Sequence, residues 1–413
     1  MTHDIARSDP RRLGLMSGHP PKAESLVRQD NASFMLFPNT RWSFSHWREL
    51  TPTAAIWRGA QAPSVLPRTL RDDLDAVRFT TLEGKPNSWG EAFDEMCTDG
   101  IVVLHRGHVV YERYFGALEP HRPHIAMSVT KSFTGLLAAL MAHERSIDPD
   151  RLVPHYIPEL SGGAYADATV GQVMDMTIGV KYSETYTDPQ AEIWAYATAA
   201  GTLPRPPAYA GPDSIFDFLK TLQKEGAHGE AFAYKTCNSE VLGWIVQRVA
   251  GASFAQLVSE RIWRHLGCEE DAYVGVDRTG SAMCGGGLNL TLRDMARFGE
   301  MMRQGGAFNG RQIVPEAVIA AIRRGADPAH FAKSGIATLP GASYRHQWWI
   351  AHDRFEAFMA RGIHGQAIWI APKAQTVIAR FASHPVASNA NGPLDHVSMP
   401  AYAAIADHLV RHG

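Results

Sequence analysis

The sequence predicts an α+β fold: an antiparallel sheet flanked by helices, with an all-helical segment inserted between its halves. Three observations carry this expectation. A strand pair stands early in the chain, helical text fills the middle, and strands return in quick succession in the last third.

Each element follows from local chemistry. Ile101-Val102-Val103-Leu104 and Val109-Val110-Tyr111 flank Arg106-Gly107-His108, the pattern of a β-hairpin. Residues 128–143 carry Leu136, Leu137, Leu140 and Met141 and read as a buried helix starting close to Ser128. It stops before Asp148-Pro149, since proline disfavours helix at the residue before it. Further helices are expected over 170–176, 215–223, 238–249 and 253–266, with Gly251 and Gly267 where C-terminal caps belong. Residues 197–212, rich in Ala, Gly and Pro, read as a surface loop. Thr291-Leu292-Arg293-Asp294 is a capping box with Asp in place of Glu, and a helix bearing Met295, Phe298, Met301 and Met302 follows to Gly305. Strands at 347–350, 355–359, 367–370 and 376–381 come at the spacing of an antiparallel meander, and a helix over 400–411 closes the chain.

The expected division is an arm over 1–35, a sheet domain from 36–131 and 270–413, and a helical domain over 132–269. The arm is polar, with scattered Pro, Arg and Gly, and is expected to drape over the surface or to be partly disordered.

Bulk properties narrow the function. A chain of 413 residues suits two domains or one with a large insertion. Its 45% hydrophobic and 20% charged content is that of an ordinary globular protein. A net charge of -2 supplies no field to steer nucleic acid or an anionic membrane, so the expected partner is a small molecule. Cys97, Cys237, Cys268 and Cys284 form no CxxC pair and read as buried free thiols of a reducing compartment. The first residues lack the apolar region of a signal peptide, and no run of about 18 apolar residues occurs. A cytoplasmic monomer or homodimer is expected.

The chemistry-bearing residues begin with Met127-Ser128-Val129-Thr130-Lys131. On a helix, positions i and i+3 share a face, so the Lys131 amine can lie beside the Ser128 hydroxyl. A serine at a helix N-terminus also has free backbone N–H groups nearby to meet an oxyanion. Serine needs an adjacent base, and lysine serves as one only when neutral. Ser-x-x-Lys by itself also fits a helix start with a solvent-facing lysine. Tyr234, in the turn before the 238–249 helix, could relay a proton, or could be a core tyrosine with a bonded hydroxyl. Gly362-Ile363-His364-Gly365-Gln366, between two strands, could bring a backbone N–H close to a ligand, or could be an ordinary turn. His121 and His124 flank Pro123 with no evident carboxylate partner, so no metal site is expected. Gly-x-Ser-x-Gly and a phosphate-cradling Gly-rich loop are both absent.

Taken together, Ser128-Val129-Thr130-Lys131, Tyr234 and the Gly362 strand resemble the serine β-lactamase and penicillin-binding-protein superfamily, class C branch. Within it the chain is most similar to the nylon-oligomer (6-aminohexanoate-dimer) hydrolases and related esterases. The likeness extends over Arg41-Trp42-Ser43-Phe44, Tyr182 to Pro189, the 238–249 helix, Gln347-Trp348-Trp349 and Gly362 to Gln366. The resemblance implies a β-lactamase-like fold and a serine hydrolase acting through an acyl-enzyme on small esters or linear amides, without metal or cofactor. It implies Ser128 as nucleophile, Lys131 as general base, Tyr234 as proton relay and the N–H groups of Ser128 and Ile363 as the oxyanion hole. Tyr186, Trp349, Asn238, Gly362 and His364 would contact substrate.

Departures from the family pattern set the alternatives. Tyr234 is followed by Lys235-Thr236, where the lactamases have Ser-Asn. Ala360-Arg361-Gly362 replaces Lys-Thr-Gly, so the lysine that anchors a penicillin carboxylate is gone. Ala197 and Thr202 stand where the nylon-oligomer hydrolases carry an aspartate and a tryptophan. Ester hydrolysis is therefore the expected activity. A β-lactamase or D,D-peptidase, and a non-catalytic penicillin-recognising sensor, are the alternatives.

Overall fold

The computed structural model describes residues 5–388 and 393–413. Its centre is a seven-stranded antiparallel sheet. In spatial order the strands are Ser343–Arg345, Trp348–Ile350, Phe358–Gly362, Gln366–Ala371, Thr376–Ala382, Thr98–His105 and His108–Tyr114. The early hairpin thus completes a sheet begun by the last third of the chain, with Ile378 opposite Val103 and Val377 opposite Leu104.

Both faces of this sheet are covered, which explains its unbroken apolar runs. Successive strand residues point to opposite faces. Val102, Leu104, Val377 and Ala379 join one core with Met295 and Phe298 of the Leu292–Arg303 helix. Ile101, Val103 and Ile378 join a second core with Trp89, Phe93, Tyr402 and Ile405, from the Trp89–Glu95 and Pro393–His412 helices. The α+β fold expected from the sequence is the one observed.

Several boundaries differ for identifiable reasons. The strand expected at 355–359 runs instead from Phe358 to Gly362, because Glu356 takes a left-handed turn (φ 51°) ahead of it. The closing helix is longer than expected, Pro393–His412, with Pro400 inside it. Proline has no N–H for the carbonyl four residues back, but that carbonyl, His396 O, accepts from Leu82 N at 2.8 Å. Part of the expected 197–212 loop is helical: Glu192–Ala199 forms a helix. The arm is packed, with Val27 and Phe34 buried alongside Trp42, Phe44 and Trp47. All four cysteines are free and buried. Among the described residues, no single helix is long and apolar enough to cross a membrane, and no His/Cys/Asp/Glu group suited to a metal is found.

Two helices position the site. Val129–His143 and Thr236–Ala250, here the serine helix and the tyrosine helix, pack against each other. The serine helix approaches the sheet so closely at Gly135 that a Cβ there would lie 2.1 Å from His346 O. Only glycine permits that contact.

Candidate active site

Ser128 is the N-cap of the serine helix, and Met127 before it adopts a left-handed backbone (φ 47°). Such a conformation costs a non-glycine residue about 1–3 kcal/mol and persists only where packing enforces it. Here Ala126 N is bound to Leu288 O at 2.8 Å, and Gly362 presses on the preceding backbone. A Cβ at Gly362 would meet Ala126 O at 2.7 Å and Met127 Cβ at 3.0 Å. The strand end can therefore reach the serine only because residue 362 is glycine. Ile363, the next residue, lines the same cleft as Ser128.

The Lys131 side chain is enclosed, with 1% of the residue exposed. Its Nζ lies 2.9 Å from Ser128 Oγ, 3.0 Å from Thr236 Oγ1 and 2.6 Å from the Gly285 carbonyl. The segment presenting that carbonyl is fastened along the serine helix. Thr134 Oγ1 donates to Cys284 O at 2.7 Å, and Leu288 N donates to Thr130 Oγ1 at 3.0 Å. Burial lowers the Lys131 pKa to about 8, against the opposing pull of Glu184, Glu240 and Cys237.

Those two carboxylates escaped the sequence reading. Glu240 is buried in the tyrosine helix and accepts from Tyr196 Oη at 2.6 Å, Gly285 N at 2.8 Å and Cys284 N at 3.0 Å. Burial raises its pKa to about 7. Glu184 accepts from Thr236 N, and burial raises its pKa as well. The available signal for Glu240 was an acid flanked by Val241, Leu242 and Ile245 on an otherwise apolar helix.

Tyr234 sits just before the tyrosine helix, its ring 5.2 Å from Lys131 Nζ and 5.3 Å from the Trp349 ring. No hydrogen bond of standard geometry reaches its buried hydroxyl, although Ser128 is close enough to favour the ionised form. Burial dominates and holds the phenol pKa well above its ordinary value.

Two clefts meet at this centre, with Tyr186 in the wall of both. One is lined by Glu184, Tyr186, Tyr234, Ile336 and Trp349. The other is almost wholly apolar, with Ser128, Met127, Trp194, Ala197 and Ile363 in its wall.

The structure thus brings together Ser128, Lys131, Tyr234, Tyr186, Trp349, Gly362 and Ile363. It does not bring Asn238 or His364 to either cleft. Asn238 is turned inward, accepting from Tyr165 Oη at 2.9 Å. The His364 ring packs edge-on to Phe44 at 5.1 Å, and its Nδ1 lies 2.7 Å from His384 O. Burial lowers its pKa to about 4.

Comparison with known proteins identifies the family and the fold. The Beta-lactamase family model matches residues 92–397. The chain is 35% identical to the 6-aminohexanoate-dimer hydrolase of Paenarthrobacter ureafaciens over 349 residues, covering 84% of this chain and 86% of that one. A solved Bacillus anthracis structure assigned to the 6-aminohexanoate-dimer hydrolases superposes with a TM-score of 0.85 at 34% identity, covering 93% of this chain and 97% of that one. A family VIII carboxylesterase, at 16% identity and TM-score 0.56 over 76% of this chain and 95% of its own, shares the fold. The chain belongs to the β-lactamase family of serine hydrolases.

Proposed function

We propose that the protein hydrolyses small esters, and linear amides more slowly, through an acyl-enzyme on Ser128. The observation that supports this most is the hydrogen-bond arrangement of Lys131. A neutral amine has two N–H bonds and one lone pair. With the Gly285 carbonyl and Thr236 Oγ1 taking the two N–H bonds, the lone pair faces the Ser128 hydroxyl.

In the proposed cycle, Lys131 takes the Ser128 proton as Oγ bonds to the substrate carbonyl carbon. The oxyanion is met by the N–H groups of Ser128 and Ile363. As the bond from carbon to the leaving oxygen or nitrogen breaks, Tyr234, beside Tyr186, supplies the leaving group's proton and regains one from Lys131. Water then repeats the attack and releases the acid. The cleft holding Tyr234 contains Glu184 and, among its described lining residues, no cation. Arg361, stacked on the Trp349 wall at 5.1 Å, is already paired with Asp395, which disfavours a penicillin-type carboxylate in this cleft.

Labelling by a fluorophosphonate probe tests the nucleophile. Wild-type protein is expected to label and Ser128→Ala is not; equal labelling of both would overturn the assignment. The base is tested by pH. Only neutral Lys131 can accept the proton, and its lowered pKa is about 8. On that basis kcat/KM for a neutral ester rises about tenfold per pH unit below 8 and levels off above it. A flat profile between about pH 6 and 9 would remove lysine from the role.

A further inference from the structure

The segment read from sequence as a loose arm forms part of the apolar cleft. Met35 stands in its wall together with Trp47, Met127, Ile193, Trp194 and Ile363. Two features hold Met35 there. Its neighbour Phe34 is fully buried, 5.2 Å from the Trp47 ring, and the Phe34 carbonyl accepts from Ser43 Oγ at 2.5 Å. Farther up the arm, Gln29 Nε2 donates to the carbonyls of Gly201 and Thr202 at 3.2 and 3.4 Å. Thr202 lines the same cleft. The arm is thus tied to the loop that follows the Glu192–Ala199 helix.

Which half of a substrate occupies this cleft follows from the positions of Tyr234 and Ile363. The proton donor Tyr234 lies in the other cleft, so the leaving group departs there. Ile363, beside the oxyanion site, lies in the apolar one, so the acyl chain remains there. No charged side chain stands among the residues lining the apolar cleft. An uncharged hydrocarbon chain gains by burial in it, about 0.8 kcal/mol per methylene, whereas a charged end would lose its hydration without a partner.

We infer that Met35 of the N-terminal arm is a specificity-determining residue, closing an acyl subsite for uncharged hydrocarbon chains. The inference rests on the reading of Ser128 as nucleophile and Tyr234 as leaving-group donor. The test is kcat/KM for p-nitrophenyl acetate, butyrate, hexanoate and octanoate with wild type, Met35→Ala and Met35→Trp. The octanoate-to-acetate ratio is expected to rise about fivefold or more in Met35→Ala and to fall by a similar factor in Met35→Trp. Opposite signs separate this from damage to the fold, which would depress all esters in both variants.

The same esters are titrated by tryptophan fluorescence into Ser128→Ala, with and without each Met35 change, so that chain-length selection is also read without catalysis. Wild-type chain-length profiles in both Met35 variants, in rate and in binding, would overturn the inference. Selection by Met35 in binding, in a wild-type protein that fails to label with fluorophosphonate, would support the subsite and overturn the proposed chemistry instead.

Discussion

Lys131→Met is expected to lower kcat/KM for a p-nitrophenyl ester by about 10³-fold or more. Methionine fills the volume but offers no lone pair basic enough for the Ser128 proton. It also leaves the Gly285 carbonyl and Thr236 hydroxyl without the amine that now bonds both. Ser128→Ala should fall as far, and the double variant should fall no further than either single one. Groups that act as a unit lose their joint contribution once, when the first is removed. Steady-state kinetics on the three variants measures this. A Lys131→Met enzyme retaining more than about a tenth of wild-type activity would place the base elsewhere, as would losses that multiply in the double variant.

Tyr234→Phe is expected to separate amides from activated esters. An amine cannot leave a tetrahedral carbon without a proton, whereas p-nitrophenolate can. Loss of the phenol should therefore cost about 10²–10³-fold on a linear amide and less than about tenfold on a p-nitrophenyl ester. The fold should tolerate the change, because no hydrogen bond of standard geometry holds that hydroxyl and its removal strands no buried partner. Equal losses on both substrates would assign Tyr234 to activation of Ser128 rather than to the leaving group.

What could be read from the sequence was whatever is encoded locally. Ser128 and Lys131 lie three residues apart on one helix, so their meeting follows from helical geometry alone. The hairpin around Arg106-Gly107-His108 was legible for the same reason. Tyr234, Tyr186, Trp349 and Ile363 come from four separate segments, and only the family likeness drew them together. That likeness also suggested Asn238 and His364, whose side chains turn away from the clefts because each has an inward partner, Tyr165 and the His384 carbonyl. Glu240 stayed hidden because an acid on a helix ordinarily faces water. Its burial depends on the amides of Cys284 and Gly285, more than forty positions away along the chain. The Glu192–Ala199 helix was obscured by the Gly- and Pro-rich text that follows it.

The joining of Thr98–His105 to Thr376–Ala382 has a consequence for biosynthesis. Ser128 and Lys131 are synthesised more than two hundred residues before Ile363 and before the strands that follow residue 343. A nascent chain halted in the helical middle would carry the proposed nucleophile and base without the 363 turn proposed to supply an oxyanion donor, and with no closed sheet beneath them. Hydrolytic competence would then await synthesis of the 363 turn and of the Thr376–Ala382 strand that joins the early hairpin.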